Sequence, residues 1–349
     1  VSFHYINNQL TNSQGTIGKF FAKLFSFGWA GVDLFFVLSG FLIGSILISN
    51  KKKNKYFSTF FIRRFVRIIP NYYLLILVFI LLGCIPFFKD DNFITGNNVI
   101  PIWSYFTMLQ NVFMGMLKNM GNGAMSVTWS IGIEEQFYLV IPFIIYFSNK
   151  KFLPYLLLTF IIGANFFRWH YTNPSISFNI PAYVLLPCRM DAISIGIVIA
   201  TIHSNVGLEA FVAKYKTQIM GLFVSIILIC IFLFTAYQDL GIIKNTLFAL
   251  FFGCLIMFAI GLPNSFYAKF LSFNWLTWIG KISYSLYLFH YLILGVFKKV
   301  AFTFLYTQTS ITLFITSIAA FGFSILFSWL VYKYLETPSV TLGKKFNYN

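Results

Sequence analysis

The chain has 349 residues, of which 58% are hydrophobic and only 10% are charged, and its mean hydropathy is +0.79. A soluble domain carries far more charge on its surface, so this composition excludes an ordinary soluble protein and indicates a membrane protein. The formal net charge of +16 does not indicate nucleic-acid binding, because the basic residues lie in short loops between apolar stretches.

Apolar stretches recur along the whole chain, and we predict about ten transmembrane helices, because lipid cannot satisfy exposed backbone polar groups. The first, 1–6, is expected to be the end of a truncated helix. The others are predicted at 29–49, 71–88, 129–147, 152–169, 183–203, 218–237, 243–262, 275–297 and 310–334. The predicted fold is all-α, a polytopic membrane helical bundle that forms one integral-membrane domain over residues 1–349.

The distribution of Lys and Arg predicts the orientation in the membrane. If the loop 50–70 is cytoplasmic, that side collects 16 of the 25 basic residues and the other side 9. The excess on one side predicts that both termini are cytoplasmic and that the longest loop, 89–127, is extracytoplasmic. The four cysteines are scattered without metal-ligand spacing, and no metal site is predicted.

Ionisable residues from five predicted spans are expected at a similar depth near the outer side. They are His4, Asp33, Glu134, Glu135, Arg189, Asp191 and His290. Because a charge in hydrocarbon is costly, such groups normally face the interior of a helical bundle or a wet cavity. A structural ion-pair network is the alternative to a functional site.

The helical spacing of polar and small residues defines one face on each of two predicted spans. Ser283, Tyr287 and His290 are spaced at i, i+4 and i+7 and form one polar stripe, for which interhelical hydrogen bonding is the alternative role. Asp33 shares a face with Gly40 and Gly44, whose small size predicts the close approach of another helix.

A basic face is predicted on the inner side, where Arg63, Arg64 and Arg67 lie on one side of a helix. One interpretation is an interfacial helix on anionic lipid. The other is a site for a phosphorylated cytosolic ligand, because guanidinium groups suit phosphate oxygens. Glu336, near the inner end of the last helix, is expected to form a salt bridge with these arginines.

Seven motifs occur in order along the chain. They are "VSFHY" with His4, "GVDLFFVLSGFLIG" (31–44), "RRFVRIIPNYYL" (63–74), "TWSIGIEEQFYLVIP" (128–142), "CRMDAISIGI" (188–197), "IGKISYSLYLFH" (279–290) and "YLETPS" (334–339). With this set the chain resembles the acyltransferase-3 family of bacterial integral-membrane O-acyltransferases.

The resemblance implies transfer of an acyl group, most often acetyl, from cytosolic acyl-CoA to a hydroxyl of a cell-envelope glycan or glycolipid. No cofactor is expected to be bound permanently. The implied partners are the lipid bilayer, acyl-CoA and a glycan or lipid-linked sugar, and the implied location is the bacterial cytoplasmic membrane. An arginine about three turns before His4 belongs to the same family motif and would precede Val1.

The site residues follow from combining the resemblance with the polar groups above. The expected catalytic residues are His4, Glu134, Glu135, Arg189 and His290. The expected substrate-binding residues are Asp33, Asp191, Tyr287 and Ser283, and Arg63, Arg64 and Arg67 are expected to hold the CoA phosphates.

Acyl transfer to a sugar requires a base, because a sugar hydroxyl is a poor nucleophile. His4 is expected to be that base, oriented by Glu134 or Glu135, or alternatively a covalent acyl carrier. Arg189, Tyr287 or His290 is expected to stabilise the oxyanion. The alternatives to this enzyme are a polysaccharide flippase, transporter or polymerase component, and a catalytically dead relative.

Overall fold

The computed structural model describes residues 27–89, 91, 93–94, 99–149, 151–173, 175–176, 178–235, 241–304 and 310–349. Every regular element in these ranges is helical, and no strand occurs within them. The predicted first span, 1–6, and with it His4, lies outside the described residues.

The helices are numbered in chain order within the described ranges. They are α1 (Gly31–Asn50), α2 (Tyr56–Cys84), α3 (Pro86–Lys89), α4 (Ile102–Phe106), α5 (Gln110–Leu117), α6 (Gly123–Ser126), α7 (Trp129–Phe147), α8 (Leu153–Tyr171), α9 (Ile180–Val184), α10 (Met190–Asn205), α11 (Leu208–Thr235), α12 (Lys244–Gly261), α13 (Phe266–Leu271), α14 (Asn274–Phe304), α15 (Ser310–Val331) and α16 (Thr337–Lys344). A π-helical turn, Tyr332–Glu336, joins α15 to α16.

Two compact units make up the described chain. Within the described residues, the first unit comprises 27–29, Phe57–Gly132 and Trp278–Asn347. The second unit comprises Ala30–Tyr56, Ile133–Thr277 and Tyr348–Asn349. Both units are discontinuous in sequence, so each is assembled from helices that lie far apart along the chain.

Seven helical stretches of the described residues are long and apolar enough to cross a membrane. They are Gly31–Asn50, Tyr56–Cys84, Gly123–Phe147, Leu208–Ile231, Lys244–Gly261, Asn274–Phe304 and Thr312–Lys344. Met190–Asn205 is a shorter apolar helix, and α8 coincides with the span predicted at 152–169. The prediction of an all-α polytopic membrane bundle is confirmed, and the protein is a multi-pass membrane protein.

The span predicted as one helix at 183–203 is interrupted. Helix α9 ends at Val184, a 3-10 turn follows at Leu186–Cys188, and α10 begins only at Met190. Pro187 has no N–H to donate to the carbonyl of Tyr183, so a helix that starts at 183 would lose a hydrogen bond there, and the chain forms the 3-10 turn instead. Arg189 therefore precedes α10 instead of lying within a helix.

Glycines bring α1 and α10 of the second unit into backbone contact. A Cβ atom at Gly40 would lie 2.0 Å from the carbonyl oxygen of Ile193, and one at Gly196 would lie 2.1 Å from that of Val37. A Cβ at Gly44 would also meet α10. The predicted close approach at this face of α1 is confirmed.

The segment that contains α4 runs back alongside α2 in the first unit. The hydroxyl of Tyr72 donates to the carbonyl oxygen of Tyr105 at 2.9 Å, and that of Tyr73 donates to Phe106 at 3.0 Å. Tyr73 lies 11 residues from the Cys84 end of α2, about 16 Å along the helix axis. Helix α4 therefore packs beside the middle of α2, and the side of the membrane on which 89–127 lies stays a prediction.

Candidate functional site

An ion pair joins α1 to the start of α10 in the second unit. The Arg189 guanidinium lies 2.8 Å from Asp33 Oδ1, and both side chains are almost completely buried. The same guanidinium lies over the rings of Phe36 and Tyr183, with 5.7 and 5.4 Å to the ring centroids. Asp33 and Arg189, two expected site residues, thus balance each other's charge, and two aromatic rings lie against the guanidinium.

A second buried ion pair, in the same unit, involves a residue that sequence reasoning missed. Arg168, near the end of α8, lies 2.8 Å from Asp191 Oδ2. The hydroxyl of Thr246 also donates to that oxygen at 2.6 Å, and Arg168 Nε donates to the carbonyl oxygen of Ile242 at 2.7 Å. A signal was present in the sequence, because Asp33 and Asp191 are two acids and Arg189 could balance only one of them.

Glu134 lies in a chain of hydrogen-bonded side chains on α7 and α1 of the second unit. The Tyr138 hydroxyl, one turn further along α7, donates to Glu134 Oε1. The hydroxyl group of Ser39 on α1 is hydrogen-bonded to the same tyrosine oxygen. Because the tyrosine hydrogen is used on Glu134, Ser39 is the donor in its own bond, and all three side chains are buried.

The hydrogen bonds of Ser39 relate the Glu134 set to a position along α1. Ser39, beside Tyr138, lies six residues beyond Asp33 on α1, which is about 9 Å along the axis. Tyr138 and Ser39 are therefore more than one helical turn from Asp33 along α1, but Glu134 lies one turn before Tyr138 on α7, so the expected common depth stays a prediction. Glu135 is only half-buried and points about 100° away from Glu134, as expected for consecutive residues of a helix.

His290 and Tyr287 occupy the buried face of α14 in the first unit. His290 Nδ1 lies 2.7 Å from the carbonyl oxygen of Tyr287. Because a carbonyl can only accept, Nδ1 carries the hydrogen, and in the neutral ring the lone pair is on Nε2. The Tyr287 hydroxyl lies 3.0 Å from the Val127 carbonyl oxygen and 2.6 Å from Ser130 Oγ.

The third member of the predicted stripe, Ser283, is exposed and donates to the carbonyl oxygen of Gly280. The structure therefore does not bring Ser283 into the buried polar face of α14. Two residues further on, Ser285 is fully buried and donates to Glu336 Oε2 at 2.8 Å. Sequence reasoning missed Ser285, because spacing alone does not say which face of a helix is buried.

Glu336 does not form the expected salt bridge with the arginines. Within the described residues its carboxylate is bound by two neutral donors, Ser285 Oγ and Asn71 Nδ2, the second at 3.1 Å. Arg67, on the same helix as Asn71, is close enough to act electrostatically on Glu336 but does not form an ion pair with it. The polar link replaces the predicted ionic one.

The three arginines of the basic face lie on α2, as predicted, but in different surroundings. Arg63 Nε donates to the carbonyl oxygen of Phe346 at 2.9 Å, in the segment after α16. The Arg64 guanidinium lies 6.0 Å from the ring centroid of Phe60, and Arg67 is exposed. Arg67 is therefore the most accessible cation of the three.

The acyltransferase domain family matches residues 1–333 of this chain. The chain is 30% identical over 338 residues to the peptidoglycan O-acetyltransferase OatA of Listeria monocytogenes, covering 89% of this chain and 51% of that protein. It is 29% identical over 341 residues to the O-acetyltransferase OatA of Staphylococcus aureus, covering 93% and 54%. The chain thus spans about half the length of the curated relatives it matches.

No solved structure matches this chain. The family match extends from before His4 to beyond His290, so it includes every residue expected to be catalytic from the motifs. The protein belongs to the acyltransferase-3 family.

Proposed function

We propose that this protein transfers an acetyl group from cytosolic acetyl-CoA to a hydroxyl of a cell-envelope glycan. The observation that carries the proposal is the family match over residues 1–333, which contains both expected catalytic histidines. The names of the two relatives describe O-acetyl transfer, in one case to peptidoglycan. The buried polar groups of the two units support it, because a structural membrane helix has little reason to carry them.

On the catalytic side, Glu134 orients and charge-stabilises the base His4. Support comes from the hydrogen bond that Tyr138 donates to Glu134, which fixes one carboxylate oxygen and the rotamer of the side chain. A fixed carboxylate is what a histidine base needs to hold its tautomer and its protonated form. Glu135, which is half-buried, is the proposed support of Glu134 near the start of α7.

His290 takes part in proton transfer. Its Nδ1–H bond to Tyr287 leaves Nε2 as the basic nitrogen, so a neutral His290 accepts a proton and does not donate one. This geometry favours proton transfer over the oxyanion role for His290. Arg189 remains the proposed oxyanion partner, and because Asp33 balances its charge, it contributes hydrogen-bond donation more than net charge.

Asp33, Asp191, Tyr287 and Ser283 remain the residues proposed for the acceptor side. On the donor side, Arg64 and Arg67 hold the CoA phosphates, with Arg63 contributing where the segment after α16 leaves it accessible. This arrangement requires the basic face to be cytoplasmic, with both termini on that side. The membrane is then the bacterial cytoplasmic membrane, with the glycan reached from its outer face.

The test is to incorporate the purified chain into lipid vesicles and supply acetyl-labelled acetyl-CoA and a cell-wall glycan acceptor. The expected result is label in an alkali-labile ester on the glycan, lost in His4→Ala and reduced in Glu134→Gln. Loss of label in Arg67→Gln, restored by raised acetyl-CoA, supports the donor site. Undiminished transfer by His4→Ala would refute the base assignment, and absence of transfer to any glycan acceptor would favour a transport role.

A further inference from the structure

A buried polar cluster of the first unit has no place in the catalytic chemistry above. Asn71 of α2, Ser285 of α14 and Glu336 of the π-helical turn are mutually hydrogen-bonded. Asn71 and Ser285 have no exposed surface, and Glu336 is 6% exposed. We call these three residues the inner polar cluster.

The cluster has more hydrogen-bond acceptors than it uses. Both donors reach the same carboxylate oxygen, Glu336 Oε2, so Oε1 makes no hydrogen bond with a described residue. The amide oxygen of Asn71 is buried and is likewise without a hydrogen-bond partner in the described part of the chain. A buried acceptor such as Asn71 Oδ1 is costly to leave without a donor, and Glu336 Oε1 is also available beside it, so the cluster suits a ligand that donates hydrogen bonds.

The backbone at the cluster is irregular in a way that ordinary helix packing does not require. Glu336 ends the π-helical turn Tyr332–Glu336, and α16 follows with Pro338 near its start. A π-turn inside a long helix costs hydrogen-bond geometry and is found frequently at functional sites. Here it is the turn that carries the carboxylate.

The cluster continues the basic face into the membrane. Arg63, Arg67 and Asn71 are spaced at i, i+4 and i+8 on α2, so they form one stripe. Along the helix axis Asn71 is about 6 Å from Arg67, about 10 Å from Arg64 and about 12 Å from Arg63. A molecule held by phosphates at the arginines would reach the inner polar cluster with an arm that spans these distances.

The geometry points to the inner polar cluster as the binding site for the pantetheine arm of acyl-CoA, an inference that rests on the proposed function. The arm is about as long as four extended residues, roughly 14 Å, so it is long enough to extend from the arginines to the cluster. It carries two secondary amides, whose N–H groups donate to Asn71 Oδ1 and Glu336 Oε1. Ser285 holds the carboxylate in place for this contact.

The test is calorimetric binding of two probes to the purified chain in lipid nanodiscs. Coenzyme A carries both the phosphates and the arm, and adenosine 3′,5′-bisphosphate carries phosphates alone. Removing one hydrogen bond in Asn71→Ala or Glu336→Gln is expected to weaken coenzyme A binding about tenfold and to leave nucleotide binding unchanged. Arg67→Gln is expected to weaken both probes.

Ser324→Ala is the matched control, because Ser324 is a buried serine of the same unit that donates to the carbonyl oxygen of Ala320 in its own helix and is not hydrogen-bonded to the inner polar cluster. It is expected to bind both probes as the unmodified chain does. Glu336→Gln keeps the size of the side chain, so it remains informative if Asn71→Ala fails to fold. If both variants bind coenzyme A as the unmodified chain does, the proposed pantetheine site is overturned. If they lose affinity for coenzyme A and for the nucleotide equally, that site is also overturned. In both cases the proposed binding of the phosphates by the arginines is untouched. If the unmodified chain binds neither probe, the donor proposal falls as well.

Discussion

The hydrogen bond from Tyr138 to Glu134 makes a quantitative prediction about turnover. Tyr138→Phe removes only the hydroxyl that donates to Glu134 Oε1 and accepts from Ser39. A hydrogen bond to a charged group contributes about 1.5–3 kcal/mol. If Glu134 works by orienting the base, that loss falls on the transition state and lowers kcat roughly 10- to 150-fold.

The assay is acetyl-ester formation on glycan under saturating acetyl-CoA, with thermal unfolding measured alongside. Tyr146→Phe is the control, since Tyr146 lies on the same helix and is 40% exposed. In a double-mutant comparison, Ser39→Ala added to Tyr138→Phe should cost nothing further, because Ser39 acts on Glu134 only through that hydroxyl. A kcat for Tyr138→Phe within twofold of the unmodified protein, while Glu134→Gln is inactive, would refute the reasoning.

Three further predictions concern the second unit. Gly40→Ala forces a Cβ atom into the backbone of α10 and is expected to lower the free energy of unfolding by about 1–3 kcal/mol. Gly221→Ala, whose added Cβ would have nothing within 4 Å, is the control and should stabilise the protein slightly. Thermal unfolding that ranks the two variants in the opposite order would contradict the contact. Arg168→Met leaves Asp191 buried without its cation and is expected to cost about 3–5 kcal/mol in the free energy of unfolding; a cost below 1 kcal/mol would show that the pair is not needed. Cys188 is completely buried, so in a variant that retains only this cysteine its alkylation should be slow in the folded protein and fast in denaturant. Equal rates in the two conditions would contradict the burial.

The existence of the long helices was predictable, because the hydrophobic runs are long. The residues at which the helices end were not predictable. The segment around Pro187 shows why: the apolar run 183–203 predicts one span, yet a 3-10 turn with Pro187 interrupts it, and Arg189 lies just before α10. The packing of α4 beside α2 was also hidden, since hydropathy reports composition and not where a loop goes.

The site was predictable in its residue types and less so in its pairings. Asp33, Arg189 and Asp191 are predictable from the sequence as a charged set, but Arg168, the partner of Asp191, is not among the expected site residues. Ser283 and Ser285 are two positions apart and therefore point about 200° away from each other around α14. Distinguishing them required knowing which side of α14 faces protein. Such partnerships are tertiary facts, which a single sequence does not contain.

The Asp33–Arg189 pair has a consequence for biosynthesis. The two residues are 156 positions apart, so at roughly 5–20 residues per second the ribosome adds Arg189 about 8 to 31 s after Asp33. During that interval α1 holds a carboxylate with no such counter-ion, and lipid strongly disfavours it in the ionised form. We therefore expect nascent α1 to wait at the insertion machinery, protonated or close to water, until α10 arrives. Ribosome-stalled chains that end before and after residue 189 would show when α1 passes into lipid.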